Sequence, residues 1–282
     1  MQNSSLIFSG YQDFIFRRSD EWSRLESTPL VEEIPLAISV NGISYAVMMV
    51  SPIDLDSFVV GFALSEGIIE HLSDIRDINT DKTRIQLDIE SITINLEISS
   101  RRFAHFKQKK QAHLGATGCG LCGVESLAQA IPVLTKLAPS QSIKVNELVP
   151  LREKLFEHQV LGNKTGAIHA ALLIDPDNQV ICCMEDIGRH NTLDKVIGYA
   201  LQNNIHLHNH NVLMSSRCST ELIQKAVRVG LSHLTHLASP STLAVKLAKH
   251  YGLTLIHLPK KDAPRIFASS FKLEDIVDEQ KR

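Results

Sequence analysis

Between Ile34 and Val50 the sequence IPLAISVNGISYAVMMV forms two β-rich runs divided by Asn41 and Gly42. Asn-Gly is the preferred centre of a two-residue hairpin because both positions need a positive φ, so this pattern predicts two paired strands. After Ser51-Pro52, Leu55, Phe58, Val59 and Phe62 recur at helical spacing, with Asp54 placed as a side-chain N-cap. An amphipathic helix is expected there. Residues 84–98, RIQLDIESITINLEI, alternate in two stretches and predict a second strand pair. RRFAHFKQKK at 101–110 is expected to be a helix with a solvated basic face, or alternatively a patch that meets an anion or an acidic partner. A further helix is expected from about Gly123 to Leu137, and Pro139 and Pro150 bracket a connector. Residues 1–30 are polar and irregular and predict a loosely held arm.

From Ala167 the period changes. The pattern predicts a strand, a turn at 175–179 (DPDNQ), a strand, helix 192–202, strand 211–216, helix 220–230, strand 234–238, helix 241–251 and strand 253–258. Strands alternating with helices imply crossover connections and a largely parallel sheet with helices packed on it. The fold class is therefore α/β, preceded by a smaller α+β unit. The expected boundaries are an arm at 1–30, an α+β domain at 31–138 and an α/β domain at 139–282.

A chain of 282 residues with 44% hydrophobic and 21% charged residues can bury a substantial core. Its formal net charge of -2 supplies no long-range attraction to nucleic acid or to an acidic membrane, so neither is expected as a partner and anion binding must be local. No apolar run reaches the roughly 18 residues of a membrane span, and the start MQNSSLIFSGYQDFIFRR lacks the order of a secretory signal. The expected location is the cytoplasm, where reduced thiols are the default for the five cysteines.

Two of those cysteines stand in TGCGLCGVE, residues 117–125, where Cys119 and Cys122 are interleaved with Gly118, Gly120 and Gly123. A zinc site would need a second ligand pair, but the other cysteines are the adjacent Cys182 and Cys183, in an apolar strand, and lone Cys218. No metal site is therefore expected. Zinc deaminase chemistry needs an H-x-E, and no histidine here has a glutamate two positions on. A redox dithiol stays open, although CGLC lacks the usual proline. The glycines favour a loop that another active site can approach closely, and Lys107, Lys109 and Lys110 nearby favour thiolate over thiol. Cys182, Cys183 and Cys218 read as structural.

The predicted strand ends carry EDIGRHN, SSRCST and ASPST, which gathers polar, small and basic residues at one edge, where open α/β sheets bind ligands. Capping alone would account for Asn191 as an N-cap and for Asp186 paired with Arg189. Arginines at two consecutive strand-to-helix junctions exceed that need. Arg189, His190, Asn191, Ser216 and Arg217 are candidate contacts for a dianionic or pyrophosphate ligand, and His169 is either a core histidine or a further contact.

IPLAI, NGISYAVMMVSP, GFALSEGII, SSRRF, TGCGLCGVE, EDIGRHNTLDK and STLAV together resemble the FdhD-type sulfur carriers, the formate dehydrogenase accessory proteins, over about Glu32 to Leu258. The resemblance implies a second domain that is a three-layer α/β fold like cytidine deaminase, without the deaminase metal. It implies that Cys119 bears a persulfide delivered by a cysteine desulfurase, with Cys122 as its companion. The acceptor would be Mo-bis(molybdopterin guanine dinucleotide), required by the formate dehydrogenase catalytic subunit, with GDP as a mimic of the bound cofactor. It implies a homodimer as well. Where such proteins carry a glycine-rich basic segment against the cofactor, this chain has Leu258, Pro259, Lys260, Lys261, Asp262 and Ala263, with Arg265 displaced behind them. Two other functions fit the same residues: a cofactor-binding chaperone without sulfur transfer, and a redox dithiol protein.

Overall fold

The computed structural model describes residues 9–86, 89–111, 131–143 and 145–271. The predicted hairpin is strands β3 (Ile34–Val40) and β4 (Ile43–Val50), turned at Asn41 and Gly42 with φ of 47° and 77°. Two further strands, β5 (Ile75–Arg84) and β6 (Glu90–Ile98), complete a four-stranded sheet ordered β4-β3-β6-β5. The second strand pair therefore starts earlier than the alternation of 84–98 suggested. Residue 84 ends a mostly polar strand whose membership is decided by backbone pairing with β6 rather than by its own pattern. Ile34, Leu36, Ile38 and Val40 of β3 and Ile92, Ile94, Leu96 and Ile98 of β6 turn to one face, and helix α1 (Leu55–Ser65) covers it with Phe58, Val59 and Phe62.

Asp54 precedes α1 as expected, but its own backbone is left-handed, at φ 51°, and its side chain caps nothing. The basic segment is helix α2 (Ser100–Gln111). The helix expected to reach Leu137 does not do so: its part from Gly123 to Ala130 lies outside the described residues, and from Pro132 the chain has no regular secondary structure, with Leu137 N–H bonded to Tyr251 O at 2.8 Å. Residues 11–30 are not an irregular arm. Strands β1 (Tyr11–Arg17) and β2 (Leu25–Val31) pair antiparallel, and the hydrogen-bonded ladder orders a segment whose side chains are largely exposed.

Short helices α3 (Val145–Leu148), α4 (Leu151–His158) and α5 (Val160–Thr165) lead into the second half. There β7 (His169–Ile174), β8 (Val180–Asp186), α6 (Arg189–Gln202), β9 (Asn211–Met214), α7 (Thr220–Arg228), β10 (His233–His236), α8 (Thr242–Tyr251) and β11 (Thr254–His257) follow the predicted order. A last strand not foreseen, β12 (Arg265–Ala268), pairs antiparallel with β11. The sheet runs β12-β11-β10-β9-β7-β8 and is mixed rather than largely parallel. Only β9-β10 and β10-β11 are parallel, because the tight 175–179 turn makes β7 and β8 a hairpin and reverses β7 against β9. Both faces are covered. Ala171, Leu173, Leu234 and Leu255 pack with α6, α7 and α8, and Ala170, Leu172, Leu213 and Ile256 pack with Leu148, Leu151 and Leu155. No described helix is long and apolar enough to cross a membrane.

The two halves meet through α1 and α6, whose backbones touch. A Cβ built at Gly61 would lie 1.7 Å from Asp194 O, and one at Gly198 would lie 1.8 Å from Ser57 O. Those oxygens belong to helical backbone and cannot give way. Replacing Gly198 or Gly61 with Ala is expected to cost about 3 kcal/mol, toward the upper end of overpacking penalties. The denaturant midpoint would fall with an unchanged slope; an unchanged midpoint would mean that the helices do not touch there.

Candidate functional site

In the mixed sheet, β8 through β11 end at one edge where β7 begins, so topology brings His169, the 186–191 junction, the 215–219 junction and residue 258 onto a common rim. His169 sits opposite Asp186 in register, with its Nδ1 3.4 Å from Ser215 Oγ. Burial holds its imidazole below the usual histidine pKa, and the Arg189 charge pushes the same way. His190 reaches across from the first turn of α6, with Nε2 2.6 Å from Glu221 Oε2 on α7 and 3.3 Å from Oγ of Ser219, the residue before α7. Half-buried Arg189 and exposed Arg217 have no carboxylate within ion-pair distance among the described residues. Two guanidiniums thus stand unneutralised at neighbouring junctions of the rim.

Other candidates prove to be internal. Asn191 is not an N-cap. The helix starts at Arg189 after Gly188, so Asn191 lies inside the first turn, buried, with its amide donating to Met49 O at 3.0 Å and Asp186 Oδ1 at 2.8 Å. Asp186 does not pair with Arg189: its partner is Lys195 at 2.8 Å, and both side chains are fully buried. A charge removed from water needs a partner within the fold, and solvent-accessible Arg189 can leave that role to Lys195. Lys195 also donates to Ser51 O and Glu185 O, and Asp186 accepts from Ser51 N–H. Asn191 and Asp186 therefore shape the rim from below. Ser216 is buried, with its hydroxyl donating to Arg217 O at 3.1 Å.

The 258–263 segment faces a separate cavity of about 500 Å³, lined by Val149, Arg152, Glu153, Leu258, Pro259, Lys260, Lys261, Asp262 and Ala263. Arg152 donates to Leu258 O, and Arg265 folds back on Asp262. Arg152, missed in the sequence because α4 offers no motif around it, adds a cation to this cavity. Strand order separates β11 from β8 by four inter-strand steps, about 19 Å at the usual spacing. The candidate residues therefore form two groups on one rim.

Cys119 and Cys122, with the whole 117–125 stretch, lie outside the described residues. Of the other cysteines, burial pushes Cys182 and Cys183 up to about 12 and Cys218 higher still. All three are protonated near neutrality, as their structural reading requires. Among the described residues no group of three or more His, Cys, Asp or Glu is placed to hold a metal ion.

Beneath the rim His236 is fully buried; its Nδ1 donates to Ser216 O at 3.1 Å and its Nε2 has no partner among the described residues. Burial lowers its pKa to about 4. The unfolded histidine titrates near about 6.5, so as pH falls the unfolded chain takes the proton first. The stability supplied by neutral His236 is complete above about 6.5 and is lost toward pH 4, by up to about 3 kcal/mol. Denaturant melts across that range should show the decline, and His236→Asn, whose amide can still donate to Ser216, should flatten it; an equally steep profile in the variant would remove His236 as the cause.

The FdhD/NarQ family model matches residues 31–274. The chain is 35% identical over 243 residues to the sulfur carrier protein FdhD of Bordetella bronchiseptica, covering 86% of each chain. It is 39% identical over 234 residues to that of Burkholderia mallei, covering 80% of this chain and 83% of the relative. A solved structure from Desulfotalea psychrophila, assigned as a formate dehydrogenase accessory protein, superposes with a TM-score of 0.66 at 23% identity, over 92% of this chain and 96% of that one, and so shares the fold. With its matched segment spanning the four- and six-stranded sheets and the whole rim, the chain belongs to the FdhD/NarQ family.

Proposed function

We propose that this chain is a sulfur carrier that takes sulfur from a cysteine desulfurase onto Cys119 and passes it to a molybdenum cofactor destined for formate dehydrogenase. The observation that carries this reading is the division among the cysteines. Burial keeps Cys182, Cys183 and Cys218 as thiols, which leaves Cys119 and Cys122, in their glycine-rich stretch, to supply the nucleophile. It is supported by the name sulfur carrier protein, borne by relatives that match most of the chain.

In the loading step the Cys119 thiolate attacks the outer sulfur of the donor's persulfide. The donor S–S bond breaks, a new S–S bond forms on Cys119, and the donor cysteine leaves as a thiolate, so no external oxidant or reductant is consumed. Cys122 tunes that thiol or displaces the carried sulfur as hydrosulfide, closing a disulfide. The substrate that receives the sulfur, a molybdopterin guanine dinucleotide, is long and carries phosphates. Arg189 and Arg217 would hold phosphate oxygens, His169 and His190 would contact polar groups beside them, and Arg152 with Lys260 and Lys261 would meet the far end. A ligand reaching from Arg189 to the 258–263 segment must extend over about 19 Å, which favours a dinucleotide over a compact anion.

Incubation with a desulfurase and cysteine should add about 32 Da, one sulfur atom, to the 117–125 peptide. Cys119→Ala should abolish that adduct; equal loading in the variant, or formate dehydrogenase activation without Cys119 and Cys122, would leave only a cofactor-binding chaperone. Arg189→Ala and Arg217→Ala should each weaken GDP binding by about tenfold, the loss of a charge-assisted hydrogen bond. Titration calorimetry measures it, and unchanged affinity in both variants would remove the phosphate role from this rim.

A further inference from the structure

From Ile98 to Val124 the chain contains no Asp or Glu, but it holds Arg101, Arg102, Lys107, Lys109 and Lys110 and ends in the cysteine stretch. In the fold these cations do not share one fate. Arg102 is buried and acts as an anchor, with Nε donating to Ile68 O at 3.1 Å, one terminal nitrogen to Gly67 O at 2.9 Å and the other to Glu70 Oε1 at 2.5 Å. One turn on, Phe106 is buried against Tyr45, so residues 102 and 106 pin one side of α2 to the first core. The opposite side is presented to solvent: Arg101, His105, Lys107 and Gln108 are exposed. Lys107 lies over the Phe103 ring at 4.9 Å, and no carboxylate among the described residues is within ion-pair distance of Arg101 or Lys107.

We propose that this outward face of α2 is the docking surface for the protein that donates sulfur, and that the donor meets it with an acidic patch beside its persulfide cysteine. The inference rests on the carrier reading and adds which part of the chain the donor touches. Three features support a protein as occupant. The exposed cations Arg101 and Lys107 stand six residues apart on α2, about 9 Å along its axis, a compact spacing that suits one patch on a folded partner rather than an extended polyanion. The chain as a whole carries -2, so attraction to an acidic partner must come from local groups such as these and orients the encounter. And Cys119 follows Gln111, the end of α2, by only eight residues in the sequence, which keeps it within about 28 Å of that end along the chain.

The test compares two sulfur sources acting on the full chain. With a cysteine desulfurase as donor, the double variant Arg101→Glu, Lys107→Glu should load sulfur about tenfold more slowly than wild type at low salt. Raising salt should slow the wild type steeply and the variant little. With cysteine persulfide as a small donor, both should load at the same rate. The milder pair Arg101→Gln, Lys107→Gln, which introduces no like-charge contact, should fall between, and unchanged denaturation midpoints would show that both variants are folded. Equal slowing with both donors, or no slowing with the desulfurase, overturns the docking surface. So does retention of RNA or of anionic vesicles by the wild type, lost in the variant while desulfurase loading is intact. If wild type takes sulfur from neither source, the carrier reading itself fails, an outcome distinct from the other three.

Discussion

The contact between the α1 and α6 backbones at Gly61 and Gly198 governs how the two halves of this molecule are joined. With no side chain at either position, Asp194 O and Ser57 O approach so closely that even a methyl group is excluded. A glycine inside a helix costs about 1 kcal/mol relative to alanine, and here the close fit offsets it by bringing polar groups of the two helices into reach. Ser65 at the end of α1 donates to Asp194 of α6 at 2.6 Å, and Lys225 of α7 bonds Asp194, Ser65 and Glu66 within 3.0 Å. Charges that would be costly to bury alone are thereby mutually satisfied, and they bind the first sheet's helix to the second sheet's helices.

A second buried pair does comparable work at the rim. Lys195 and Asp186, with Ser51 and Asn191, stitch the end of β4 beneath the start of α6. Because Asp186 is consumed internally, Arg189 has no carboxylate within ion-pair distance among the described residues, and neither has Arg217 at the next junction. The electropositive character of the rim is thus a consequence of how the interior is neutralised. The same division recurs on α2, where Arg102 is spent on carbonyl oxygens and Glu70 while its neighbours face outward.

The strand and helix order of residues 169–257 was legible because each element carries its own period and the connections between them are rich in turn-forming residues such as Asn178, Gly188, Gly230, Pro240 and Gly252. The β3–β4 hairpin was legible from Asn41-Gly42 for the same reason. Elements without a pattern of their own escaped. The β1–β2 ladder has mostly exposed side chains, β5 is mostly polar and β12 is four residues long, so backbone pairing with a neighbour is what makes each a strand. Among the candidate site residues, His169, Arg189, His190 and Arg217 were singled out by their position at strand ends, and the fold places them on the rim. Arg152 was not, because its relation to residue 258 spans the length of the second half.

Local sequence alone thus determined the periodic elements, the cysteine pair with its glycines and the basic run before it, since propensity, spacing and charge are properties of neighbours along the chain. Tertiary structure alone decided the direction of β7 within its sheet and which polar residues went inside. Nothing in the local pattern marks Lys195 or Lys225 as buried; packing brings Asp186 from β8 beside Lys195 and Asp194 from α6 beside Lys225. Whether an ionic group is buried or free depends on the partner available within a few ångströms, and that partner is chosen by packing across the fold.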